Sequence, residues 1–146
     1  MTETFVEWPQ FQPRRDVELC IPADWSLVRL ARLAGSALAA SCGFDLDELE
    51  DVKVFVGEVC ATLIELGDGS PLTLRLGTID GIGVWLDGRT PTKPDGSVDA
   101  ARFTLTERIL EVICDRHELD TTGREARFRV VRFGTPAADE EALDRG

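Results

Sequence analysis

Apolar side chains along this chain recur with two periods, and the switches between them mark its elements. Val17, Leu19 and Ile21 alternate with polar neighbours, as a half-buried strand does, and Pro22 ends the run. Asp24 or Ser26 can cap the next segment, where Leu27, Leu30, Ala31, Ala34, Ala37 and Leu38 form one apolar face of a helix that Gly43 stops. Phe44 then precedes Asp45, and Asp47, Glu48 and Glu50 load the first turn of a second helix with the negative charge a helix N-terminus favours. Its stripe of Leu49, Val52, Val56, Val59, Leu63 and Leu66 steps by three and four until Gly67.

The period returns to two at Leu72, Leu74 and Leu76, and Asp80-Gly81 separates these from Ile82, Val84 and Leu86, which predicts a β-hairpin. Residues 87–96 carry Pro91, Pro94 and several glycine and aspartate turn residues, which predicts a loop of about ten residues, long enough to be a place for function. A third helix is expected from about Asp99, with Phe103, Leu105, Ile109, Leu110, Val112 and Ile113 apolar. A second hairpin, 115–119 with 126–133, turns at Thr121-Thr122-Gly123. Ahead of these elements, residues 1–15 mix Phe5, Trp8 and Phe11 with Pro9 and Pro13 and read as an extended arm able to dock on a neighbour. Residues 135–146 are acidic and poor in large apolar side chains, so a disordered tail is expected there. Residues 16–134 then make one domain. Its element order predicts an α/β two-layer sandwich, a mixed and mostly antiparallel sheet with the helices on one face, rather than a doubly wound parallel sheet.

Charge narrows the function. The 146 residues hold 27 acidic and 16 basic side chains, a formal net charge of −11, which argues against direct nucleic-acid binding. Nothing approaches 18 consecutive apolar residues and the start lacks a signal-peptide layout, so a cytoplasmic protein with no membrane contact is expected. Cys20, Cys42, Cys60 and Cys114 show no C-x-x-C spacing, and His117 is the one histidine. That excludes an ordinary zinc site and a cysteine nucleophile, and reads the thiols as core residues. Basic residues are arginine except Lys53 and Lys93, which hints at a GC-rich genome. Of the tryptophans, Trp85 alternates in a strand and should be packed, whereas Trp25, at the start of the first helix, is a candidate partner-binding anchor.

The second helix carries a resemblance. Its core, Gly57-Glu58-Val59-Cys60-Ala61-Thr62-Leu63-Ile64, within an acid-capped apolar stripe and followed by the hairpin, is similar to the bacterial anti-sigma factor and serine-protein kinase family. That family has the histidine-kinase-like (GHKL) ATPase fold, and this chain resembles a divergent member of actinobacterial type. The resemblance runs from about Asp16 to Phe133. It implies Glu58 as general base, Thr62 in place of the asparagine that holds magnesium one helical turn on, and Asp87 with Gly88 at adenine. The matching turn, Asp87-Gly88-Arg89-Thr90-Pro91, keeps one aspartate and one glycine, and no glycine follows Gly96 before the third helix to cradle phosphate. The implied function is an anti-sigma factor with a degenerate ATP site. It would sequester an alternative sigma factor and be released by a STAS-type anti-anti-sigma protein, as a homodimer. The implied alternative is an active kinase that uses ATP and magnesium to phosphorylate that antagonist. Two plainer readings stand beside these: Glu58 as a polar flank of an apolar stripe, and Asp87 as a strand-ending turn residue.

Overall fold

The computed structural model of the protein describes residues 7–135, so Phe5 and the tail beyond Thr135 lie outside the described residues. Five strands form one sheet: β1 (Val17–Ile21), β2 (Leu72–Ile79), β3 (Gly83–Pro91), β4 (Arg116–Asp120) and β5 (Glu125–Phe133). Their spatial order is β1-β2-β3-β5-β4, and every pairing is antiparallel. Helices α1 (Val28–Ser41), α2 (Leu46–Leu66) and α3 (Ala100–Ile113) form the second layer. This is the two-layer α/β sandwich expected of a histidine-kinase-like fold.

Helix α2 is the spine of the core, and its start is built as the sequence suggests. Asp45 accepts from the Glu48 amide at 2.8 Å while Glu48 Oε1 accepts from the Asp45 amide at 3.1 Å, a reciprocal capping box. Val52, Val56, Val59 and Leu63 are buried against the inward side chains of the sheet, among them Leu72, Leu74, Leu76, Leu86, Phe128 and Val130. The hairpin between β2 and β3 turns with φ of +51° at Asp80 and +69° at Gly81, the left-handed pair that matches strand twist.

Two expectations are corrected here. The buried face of α1 is Val28, Ala31, Gly35 and Ala39, not the stripe centred on Leu30 and Leu38. Small residues bring α1 hard against α2: a β-carbon on Gly35 would meet Val56 Cγ2 at 3.0 Å and Val52 Cγ1 at 3.2 Å. Leu30 and Leu33 are thereby turned outward and exposed, while Leu38 stays half-buried at the edge of the core. The loop expected over 87–96 is the other correction, because β3 continues to Pro91. Asp87 and Arg89 occupy outward alternate positions where arginines of β5 pair across the ladder, so polar residues that look like turn formers sit in a strand.

The sheet face away from the helices is partly covered by the chain's own arm. Within residues 7–15, the Trp8 ring lies 4.1 Å from the Arg116 guanidinium and 4.5 Å from that of Arg129, and Arg75 lies 4.2 Å over the Phe11 ring. Asp16 pins the arm, with Oδ2 accepting from the Gln12 amide at 2.7 Å and its own amide donating to the Gln12 carbonyl at 2.8 Å. The described part of the arm therefore docks on its own sheet.

Candidate functional site

Glu58 and Thr62 sit one turn apart on α2, as the helix period requires. Thr62 is 3% exposed, and its hydroxyl donates to the Glu58 carbonyl at 2.9 Å. A hydroxyl bonded back to its own helix and sealed from solvent does not present oxygen to a hydrated cation. The Glu58 carboxylate is half-buried and faces α3, where it accepts from Thr106 Oγ1 at 2.8 Å.

The pleat of β3 sends Asp87 and Gly88 to opposite faces of the sheet. Gly88 faces the helices, where a β-carbon would meet Leu63 Cδ1 at 2.7 Å and Leu74 Cδ2 at 3.0 Å, so it serves the close seating of α2 on the sheet. Asp87 faces the other way. It accepts from Arg127 Nε at 3.1 Å and Nη2 at 2.8 Å, and from Arg89 Nη2 at 3.2 Å. The carboxylate raises the Arg127 pKa above its ordinary value through these hydrogen bonds. The structure thus brings Glu58 and Thr62 together and leaves Asp87 on the far side of the sheet.

Beyond the C-terminal end of α2 lies a cleft of about 520 Å³, lined by Leu66, Gly96, Val98, Phe103, Glu107 and His117. At the neighbouring start of α3 the Asp99 carboxylate accepts from the Arg102 amide at 3.0 Å, and Glu65 accepts from the Asp99 amide at 2.8 Å and pairs with the Arg102 side chain. A helix N-terminus already bonded to two carboxylates is a poor seat for a triphosphate. The residues present do not fit magnesium-bound nucleotide as one converging pocket. Among the described residues, no group of three or more His, Cys, Asp or Glu is placed to hold a metal ion.

Trp25 begins a short 3-10 turn, Trp25–Leu27, whose cap is Asp24 accepting from the Ser26 amide at 2.9 Å. The Trp25 indole is 59% exposed, with the Arg102 guanidinium 5.9 Å from its ring centre. Leu30 and Leu33, 49% and 60% exposed, are large apolar residues that the packing of α1 leaves outside.

Sequence reasoning missed the other polar concentration. Arg75, Arg89, Arg127 and Arg129 all project from the open face of the sheet around Asp87, beside Trp8 and Phe11. The signal is Arg127-x-Arg129 together with the outward alternates of the central hairpin, the polar half of each alternation.

The cysteines divide sharply. Burial pushes the Cys60 and Cys114 thiols up to about 12, whereas Cys20 lies exposed on edge strand β1. Cys20 is therefore expected to react fully with a thiol reagent at pH 8 within minutes, and the fully buried Cys60 only after denaturation. Timed alkylation with peptide mapping checks this, and early labelling of Cys60 would contradict the packing of α2.

No protein-family model matches the chain. The fold is shared with a chain of the SiaB–SiaC complex from Pseudomonas aeruginosa, with a TM-score of 0.55 and 11% identity, over 80% of this chain and 88% of that one. At that identity the likeness is one of fold alone. In sequence, the chain is similar to the serine-protein kinase RsbW of Halalkalibacterium halodurans, 33% identical over 49 residues, which are 34% of this chain and 30% of the relative. It is likewise similar to the serine-protein kinase RsbW of Bacillus velezensis, 35% identical over 49 residues, 34% of this chain and 31% of that one. The chain thus spans about a third of the length of the curated relatives it matches. Likeness to proteins of that name agrees with the resemblance carried by α2.

Proposed function

We propose that this chain is an anti-sigma factor, a protein-binding domain that sequesters an alternative sigma factor and is released by a STAS-type antagonist. The observation that carries the reading is the exposure of three large apolar residues, Trp25 in the turn before α1 and Leu30 and Leu33 on α1, while the small side chains of that helix face the core. Large apolar residues that a fold turns outward are suited to burial against a partner, with tryptophan as an anchor. The net charge of −11 complements a basic partner such as a nucleic-acid-binding sigma domain. A degenerate ATP site belongs to the same proposal, supported by the committed Thr62 hydroxyl and the outward Asp87. The protein acts in the cytoplasm as a homodimer in this reading. Among the described residues, no helix is long and apolar enough to cross a membrane.

Affinity capture from host lysate, with and without Mg-ATP, tests it. A sigma factor should be retained in both conditions. The double variant Trp25→Ala with Leu33→Asp should lose it by about 100-fold or more, at an unchanged melting temperature. Retention by that variant would remove these residues from the proposal.

The second reading is the serine kinase, favoured by the partial likeness to serine-protein kinases and by Glu58 one turn before Thr62. A ligand of the folded state must stabilise it, and a concentration about 100 times its Kd contributes about 2.7 kcal/mol. Saturating Mg-ATP should then raise the melting temperature by several degrees if the chain is a kinase, and leave it unmoved if the ATP site is degenerate.

A further inference from the structure

The open face of the sheet gathers guanidinium groups where the chain as a whole is strongly acidic, each of them paired with at least one carboxylate. A pocket of about 350 Å³ is walled by the arm on one side and by β2, β3 and β5 on the other. Its lining holds four guanidinium groups, Arg75, Arg89, Arg127 and Arg129, and a single carboxylate, Asp87. Asp87 is shared between Arg127 and Arg89, and Arg89 also lies 3.9 Å from the Glu125 carboxylate. Arg75 and Arg129 pair away from the pocket, with Glu18 of β1 at 3.3 Å and Glu118 of β4 at 2.6 Å.

Two donors at this pocket lack an acceptor. Arg89 Nε and Trp8 Nε1 are both buried without a hydrogen-bond partner, and both residues line it. A buried donor left unpaired costs free energy, so a site that gathers two of them among four cations is complementary to an acceptor-rich anion. The arm's rings contribute as well. Trp8 lies against Arg129, and Phe11 lies under Arg75. Aromatic stacking takes the face of a guanidinium and leaves its planar edge of N–H donors to grip oxygen.

We propose that this pocket is a binding site for a multiply charged oxyanion, a phosphate monoester or a dicarboxylate, gripped by Arg75, Arg89, Arg127 and Arg129 and closed by Trp8. It lies on the opposite side of the sheet from α1 and stands independently of the anti-sigma reading. Because Trp8 belongs to the arm, ligand binding and the seating of the arm are coupled.

The test is a titration of the full chain with inorganic phosphate, phosphoserine and succinate, each against sodium chloride at matched ionic strength. Tryptophan fluorescence and melting temperature are both followed. At least one probe should raise the melting temperature beyond the chloride control and change the fluorescence with saturation. Phosphoserine or phosphate acting alone assigns a phosphate monoester, and succinate acting alone assigns a dicarboxylate. Arg129→Gln and Arg89→Gln should each weaken binding about tenfold or more. Trp8→Phe keeps an aromatic ring on the arginines while removing the indole N–H and part of the stacking area, so it should stay folded and lose about threefold to tenfold in affinity. Saturation by none of the three probes, or unchanged affinity in all three variants, overturns the site.

Discussion

Replacing Leu63 by alanine is expected to lower the free energy of unfolding by about 3–5 kcal/mol, the largest single effect anticipated here. Leu63 is fully buried and its Cδ1 lies 2.7 Å from where a β-carbon on Gly88 would be, so the strand has closed tightly on it. Neither wall can collapse into the vacated volume. Gly88 has no side chain to extend, and α2 is held by its capping box at one end and by the Gly67 amide bonded to the Leu63 carbonyl at the other. A domain of this size is held by about 5–15 kcal/mol, so the variant would be close to unfolding at physiological temperature. Urea melts should show the midpoint falling with an unchanged slope. A loss under 1 kcal/mol would mean that α2 is not seated on β3 as described.

Replacing Asp87 by alanine should cost about 2–3 kcal/mol, with a salt dependence as its signature. The substitution removes the one carboxylate between Arg127 and Arg89 and leaves two guanidinium groups facing each other. Breaking a buried pair costs about 3–5 kcal/mol, discounted here because both arginine side chains are about a third exposed. The loss should shrink as sodium chloride is raised, since salt screens the repulsion left behind. Substituting Arg127→Met together with Asp87→Leu should recover most of it. If Asp87→Ala instead left stability untouched and abolished a nucleotide-induced shift, the residue would be serving adenine and not the ion pair. Thermal melts at two salt concentrations, with and without Mg-ATP, separate the outcomes.

The second helix and the two hairpins were legible in the sequence because one side of each faces the core and the other faces solvent. Leu72, Leu74 and Leu76 against Thr73 and Arg75 can be read no other way. The first helix was read on the wrong stripe because it is apolar nearly all round. Its buried face is set by how closely small residues let it approach α2, a property of the pair of helices rather than of its own pattern. Asp87 misled for a related reason: aspartate before glycine usually breaks a strand, and what keeps it in one is Arg127, forty residues away. The site shows the same limit. Helical spacing places Glu58 and Thr62 together, but the partner of Glu58 is Thr106 on a different helix, which periodicity along α2 does not reveal.

Strand β1 is held on one side alone, by β2, and is joined to the helices only after Pro22. The arm and β1 can therefore peel away together without disturbing the pairing of the other four strands. That makes them a unit of local opening with a free energy below that of global unfolding. In the opened state the backbone amides and carbonyls of residues 72–76 on β2 lose their partners and become a template for an incoming strand. A foreign peptide could occupy that groove by strand addition, and amide exchange in residues 72–76 faster than in β3 would record how often the groove stands vacant.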